Sequence, residues 1–409
     1  MAPCVYKLLA LSVFAAGNIQ AAPFTLPEAI RLALQREPEL RASGGKVEAA
    51  LGQAGQAGRW PNPELQLSLE DFPLQGVGWS ASKRLAGFSQ TVPFPGKKGL
   101  EREIGASGVR LSEAELALRR AETVRAVKAA FFQVLAAENL VKEGSDLVRA
   151  AEALASAARK RVEAGAAPEQ EGMRAEIPLE KARMDLADFR RDLAVARRAL
   201  ATLLGRPELG EAAVEGTLTQ AANPALLDRL PSAELAGYPS QKAARANVNR
   251  AQLAVRRARL DVYPDVTVGV GVGREAITNE SMGEIRVGIP LPIFDDASGK
   301  RREARANLAV AEAEAEAAQL RLLREWNSAA ERVRTASEQA KTLRERVLPK
   351  ASEALRRMQA GFDEGKYLLT DLLETQRTAA DARIGYQQKL LELNIAQAEL
   401  EALLGKLNQ

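Results

Sequence analysis

From Gly99 to about Gly165, and again from Gly299 to about Gly361, leucine, valine and alanine recur at three- and four-residue steps among charged positions, and the only proline inside either stretch is Pro349. This period predicts two amphipathic helices. At 1.5 Å per residue each is a rod of roughly 100 Å, which cannot stand alone and is expected to pack laterally as in a coiled coil, alanine at the contacts allowing close approach. Four further helical patterns run from about Pro27 to Arg59, Glu169 to Leu204, Ala233 to Val262 and Tyr367 to Leu404. Each is about half as long, and pairs stacked end to end would match the rods.

The strand patterns follow alternation. Leu65, Leu67 and Leu69 interleave with polar residues, Val266, Val268, Val270 and Val272 with Thr267 and glycines, and Ile285, Val287 and Ile289 with Glu284, Arg286 and Gly288. Period two predicts strands with one apolar face and one polar or small face. A fourth strand, Lys83 to Val92, alternates poorly and is included because an internal repeat demands it. Segments of about this length suit an outer-membrane barrel or the edge of a soluble sandwich, and periodicity alone does not choose.

Residues 162–205 align with 362–405 at a constant shift of 200 without gaps, matching Gly165 with Gly365, Ala182 with Ala382, Arg183 with Arg383, Leu193 with Leu393 and Gly205 with Gly405. Upstream motifs recur in the same order: WPNPELQLSLE (60–70) with YPDVTVGVGVG (263–273), QTVPFPGKK (90–98) with VGIPLPIFDDASGKR (287–301), and Pro38 with Pro239. The chain therefore reads helix, strand, strand, long helix, helix, written twice. Residues 23–205 make the first repeat, 206–232 an equatorial linker and 233–409 the second.

Charge and composition narrow the function. The 409 residues carry 57 Lys and Arg against 53 Asp and Glu, a net charge of +4 that gives no case for nucleic-acid binding. Histidine is absent and Cys4 is the only cysteine, which removes histidine general-base chemistry, soft-ligand metal sites and disulfide scaffolds. Lys7, the apolar run LLALSVFAA and small residues around Ala21 and Ala22 read as a secretory signal over residues 1–22. Cys4 precedes that run, so the mature chain has no thiol. No Ser/His/Asp set or metal cluster is present, and GVGVGRE (269–275) lacks the spacing of a phosphate loop. The expectation is a non-enzyme without catalytic residue, cofactor or resident metal.

Geometry then separates barrel from sandwich. The chain holds no run of eighteen apolar residues, so any membrane role uses strands. Single-chain outer-membrane barrels begin at about eight strands, and open edges are not tolerated in lipid. Four strands must therefore be pooled between copies, and three copies would give twelve.

FTLPEAIRLALQREPEL (24–40), WPNPEL (60–65), FSQTVPFPGKKGL (88–100), the acid six residues after Gly165 and Gly365, and the LLG endings at 203–205 and 403–405 resemble the TolC family of outer-membrane efflux ducts. The QTVPFPGKK junction and compact C-terminus are most similar to its heavy-metal branch, the CzcC-like factors. The resemblance implies an α+β, mainly α fold: a homotrimeric 12-stranded β-barrel in the outer membrane, continuous with a 12-helix periplasmic tunnel. It also implies a periplasmic adaptor and an inner-membrane proton-driven pump of the RND type as partners, with heavy-metal cations as cargo. A duct for organic compounds or secreted polypeptide, and a non-pore periplasmic coiled-coil scaffold, are the competing readings.

In the resembling family the second-repeat acids correspond to a ring at the closed tunnel mouth. That makes Asp371 and Glu374, one helical turn apart, the gate candidates. Threefold symmetry would turn each into a ring attracting cations. Glu171 is the first-repeat counterpart of Asp371, and Arg174, which matches Glu374, is expected to pair with Asp371 or Glu374. All four also fit ordinary solvated helix charges. Gly165 and Gly365 are expected to terminate the helices, as simple caps or as tips that dock the adaptor. Pro178, opposite Thr378 of the second repeat, is expected to bend its helix or open a hydrogen bond. Trp60 and Trp79 flank the first hairpin, where aromatic residues commonly meet the membrane interface or fill core.

Overall fold

The computed structural model describes residues 23–70, 82–227, 237–275 and 278–405. The signal segment 1–22, Trp79 and part of the expected linker lie outside them. The chain is mainly helical. In order come β1 (Phe24–Thr25), α1 (Leu26–Arg36), α2 (Pro38–Ala57), β2 (Glu64–Glu70), β3 (Lys83–Val92), α3 (Lys97–Glu163) and α4 (Glu169–Leu203). Then follow β4 (Val214–Glu215), α5 (Pro224–Leu227), α6 (Pro239–Arg259), β5 (Val266–Arg274), β6 (Ser281–Gly288), α7 (Ser298–Thr342), α8 (Leu348–Asp363) and α9 (Leu369–Leu403).

The 67 residues of α3 make one unbroken rod of about 100 Å. The second rod differs from expectation: a π-turn at Leu343–Val347 separates α7 from α8, and Pro349 sits in the first turn of α8. Proline has no N–H to donate and its ring crowds the preceding turn, and the wider π-turn accommodates both. The first short helix is likewise two pieces, because Glu37 before Pro38 is held extended at ψ 124°. By contrast Pro178 lies inside a helix that continues through it to Leu203.

The short helices stack end to end. A Cβ on Gly205, just past α4, would lie 3.3 Å from Arg36 of α1, and one on Gly405, just past α9, would lie 3.2 Å from Pro239 of α6. Packing is close because the contact positions are small: Ala29, Ala33, Ala158, Ala330 and Ala336 are essentially inaccessible. Gly105 faces Ala54 so closely that a methyl would collide with its backbone. The central core joins Val127, Phe131 and Val134 of α3 to Leu200 and Leu204, and to Val214 and Leu218 of the connection after α4.

That connection is tied down by pairings that no sequence period announces. β1 and β4 form a parallel two-stranded ladder, with Phe24 opposite Val214. Asn394 of α9, only 2% exposed, donates through Nδ2 to Thr219 O and accepts from Thr219 N, both at 3.0 Å. Gln397 Nε2 donates to Ala221 O at 3.1 Å. Buried backbone groups that lack a ladder are satisfied this way.

The larger sheet is antiparallel, ordered β2-β3-β5-β6. Leu65, Phe88, Val270 and Ile285 form one cross-strand row, and Leu67, Ala86 and Val272 the next. This face is open, with Leu67 75% and Ile285 80% exposed. The other face carries Gln66, Ser68, Ser89, Glu284 and Arg286 over Gly87, Gly269 and Gly271. Bare of side chains at these glycines, the sheet lets Arg286 Nη1 reach across two strands and donate to Gln66 Oε1 at 2.7 Å.

Candidate functional site: the helical tips and the sheet junction

At the far end of the rods, α3 and α8 each finish in the same cap. Gly165 (φ +71°) and Gly365 (φ +76°) adopt the left-handed conformation that glycine enters without penalty. Their N–H groups donate to Val162 O and Phe362 O, and the next residues, Ala166 and Lys366, donate to Arg161 O and Gly361 O. These bonds satisfy carbonyls left open at a helix C-terminus. Each chain then turns through an extended residue, Pro168 or Leu368, into α4 or α9.

The two hairpins share a small core. Leu154, Ala155 and Ala158 of α3 and Ala175 and Leu179 of α4 meet Phe362 of α8 and Leu369 and Leu372 of α9. Arg161 ties them electrostatically: its Nη1 is 3.2 Å from Glu171 Oε1, and its guanidinium stands 5.1 Å above the Phe362 ring. The edge of the Tyr367 ring lies against Gly361, where a Cβ would be 2.3 Å from the ring. None of Arg161, Phe362, Gly361 and Tyr367 belongs to the sequence-derived candidates. The signal available was the repeat itself, which sets Arg161 opposite Gly361, a mismatch within otherwise equivalent caps.

Glu171 is therefore half-buried and engaged with Arg161. Asp371 and Glu374 are exposed on α9. Asp371 accepts only a long 3.5 Å bond from Thr370 Oγ1, and the hydroxyls of Thr375 and Thr378 donate to the carbonyls of Asp371 and Glu374. Among the described residues neither carboxylate has a cationic partner within 4 Å, and the expected pair with Arg174 does not form within the chain. Arg174 is exposed and unpaired there.

The opposite end of the rods holds a second organised cluster, where β-structure becomes helix. Asp265, just before β5, accepts from Phe94 N and from Lys97 Nζ, both at 2.8 Å. Lys97 is 6% exposed. Burial pushes the Asp265 carboxyl up, but the Lys97 ammonium and the Phe94 N–H outweigh it and hold the carboxyl below its ordinary range. Next to it Arg257 bridges Glu101 and Asp261 at 2.8 and 2.5 Å. Phe94 stacks on Tyr263 with ring centroids 4.5 Å apart and planes 11° from parallel. Trp60, on the β2 side, is exposed.

Among the described residues no helix is long and apolar enough to cross a membrane, and no three acidic or soft ligands converge as a metal group. The open apolar sheet face is the surface suited to lipid.

A family model described as outer membrane efflux protein matches residues 29–206 and 230–406. The cobalt-zinc-cadmium resistance protein CzcC of Cupriavidus metallidurans is 32% identical over 391 residues, covering 94% of this chain and 91% of that protein. In fold the chain is similar to the outer-membrane channel OprN, with a TM-score of 0.80 at 19% identity, covering 93% of this chain and 90% of that one. It is similar also to the outer membrane protein VceC of Vibrio cholerae, with a TM-score of 0.79 at 19% identity over 93% and 96% of the two chains. The doubled helical hairpins, the sheet at one end of the rods and the match across both halves together place this chain in the outer membrane efflux protein family.

Proposed function

We propose that three copies of this chain form a passive exit duct for heavy-metal cations, a 12-stranded barrel in the outer membrane continued by a 12-helix periplasmic tunnel. The observation that carries it is the four-stranded sheet. Its apolar face is open and, among the described residues, its edge strands β2 and β6 are each paired on one side only, yet it continues into α3, a rod about 100 Å long. A barrel wall shared between copies gives those edges partners and the apolar face a lipid solvent. The likeness to a cobalt-zinc-cadmium resistance protein supports metal cations as cargo. With no histidine in the chain, selection among ions belongs to the pump and adaptor.

In this reading residues 23–205 and 233–409 are the two structural repeats and 206–232 the linker at the equator. The mouth lies at the helical tips. Asp371 and Glu374 supply rings of carboxylates that have no cationic partner within their own chain, Arg174 pairs with one of them on a neighbouring copy, and Glu171 holds Arg161. The caps at Gly165 and Gly365 present the turns to a periplasmic adaptor, which links the duct to a proton-driven RND pump in the inner membrane. Reconstitution in planar bilayers tests the duct: stepwise, cation-preferring conductance is the expected result, and a purified chain without conductance overturns it. Deletion is expected to sensitise cells to zinc, cobalt or cadmium; sensitivity confined to organic drugs would reassign the cargo.

A further inference from the structure

At the end away from the rods, the apolar face of the four-stranded sheet finishes in charge. Cross-strand rows step along it from Leu65, Phe88, Val270 and Ile285 to Leu67, Ala86, Val272 and Gly283, and then to Leu69, Arg84, Arg274 and Ser281. Arg84 stands directly opposite Arg274, and both are exposed. Like charges facing each other across a ladder weaken it. The acids of the strands, Glu64, Glu70 and Glu284, all fall on the opposite, polar face, so among the described strand residues the apolar face carries cations and no acid.

Depth decides what meets these arginines. Strand β3 runs from Lys83 to Val92, and the way back from Val92 at the rod end to Arg84 is about 27 Å at 3.4 Å per residue, or about 20 Å of height at a strand tilt of roughly 40°. The apolar band of an outer-membrane barrel is about 25 Å tall. With the rods in the periplasm, Arg84 and Arg274 therefore come to the outer headgroup level, where a cation on the lipid face costs little. A depression of about 760 Å³ adjoins them, and its lining includes Leu67, Ala86, Val272 and Gly283 of the same face together with both arginines. That is room for an acyl chain, far more than one ion needs. The small residues keep it open: a Cβ on Gly283 would have nothing within 4 Å.

We propose that Arg84 and Arg274 bind the phosphate of a phosphorylated lipid in the outer leaflet, one acyl chain of that lipid lying over Ala86 and Gly283. Two planar guanidinium groups on adjacent strands can each present a pair of N–H donors to one phosphate. A multiply charged anion between them turns a repulsive pair into an attractive one. Arg274 keeps that capacity: among the described residues its side chain's one hydrogen bond runs from Nε to Asn279 O at a long 3.4 Å. Because the depression lies on one face within a single copy, closing a barrel between copies leaves it turned toward lipid. The orientation, rods inward and arginine rim outward, rests on the duct proposed above.

The test uses the full chain purified in detergent, with native mass spectrometry reading the lipid it retains. Bisphosphorylated lipid A is the probe. The wild type is expected to hold it about tenfold more tightly than R84Q/R274Q, whereas R286Q, which removes a cation from the polar face, binds as the wild type does. G283L fills the depression and keeps both charges, and it is expected to weaken retention several-fold. Lipid A stripped of its phosphates is expected to bind no better than phosphatidylethanolamine. If R84Q/R274Q does not assemble, R274Q alone carries the test, with a several-fold loss expected. Equal retention by the wild type and the arginine variants, or release of the lipid by inorganic phosphate alone, overturns the lipid site and leaves the duct standing. A wild-type chain that is monomeric in detergent and silent in bilayers overturns both.

Discussion

Single residues act here through what they leave unpaired. Among the described residues Asp371 and Glu374 have no cationic partner within 4 Å in their own chain, and in the proposed duct their threefold rings would draw cations to the mouth. Replacing both with alanine is expected to raise leak conductance and lower the cation-to-anion permeability ratio in bilayers; an unchanged ratio removes them from the gate. Asp265 is the opposite case, a carboxylate held ionised by Lys97 and a backbone N–H. Because its folded pKa is depressed, its contribution is complete above the unfolded carboxylate value and fades as pH falls below about 4. Asp265→Asn leaves the buried Lys97 without its counter-charge and is expected to destabilise the junction by about 1–3 kcal/mol at neutral pH. Heat dissociation of the assembly followed against pH checks it: the wild type loses stability in acid more steeply than the variant.

At the scale of elements, the caps differ in what surrounds them although all are left-handed glycines. A methyl added at Gly165 would have nothing within 4 Å, whereas one added at Gly205 would meet Arg36 at 3.3 Å. Gly165→Ala is therefore expected to cost the backbone strain alone, about 1–2 kcal/mol, and Gly205→Ala more, because the end-to-end seam with α1 must open as well. Thermal melting of the two variants orders them, and equal losses would mean that the seam yields freely. The π-turn before Pro349 marks the same distinction between halves: α3 passes its equivalent position as regular helix. A proline is visible in a sequence, but whether a helix ends, bends or widens at it depends on what packs alongside. Pro178 lies inside a continuous α4, whereas a π-turn precedes Pro349.

For the whole molecule, the exposed apolar sheet face and open edges mean that a lone copy in water is an unfinished object. The chain is expected to require detergent for extraction and to elute with the mass of three copies; a detergent-free, water-soluble monomer would contradict the proposed duct.

What the amino-acid sequence determined by itself is the part governed by local period: the rods, the strand faces, the doubled order and the glycine caps, each written in consecutive residues. Even the poorly alternating strand Lys83–Val92 was legible through its partner repeat. The tertiary structure alone decided which distant residues meet. Asn394 strapping the segment after α4, β1 lying beside β4, Arg161 held between Glu171 and Phe362, and Asp265 receiving Lys97 are contacts across long separations. Hydrogen bonds and ion pairs of this kind depend on direction and distance in space, and no periodicity along a chain encodes either.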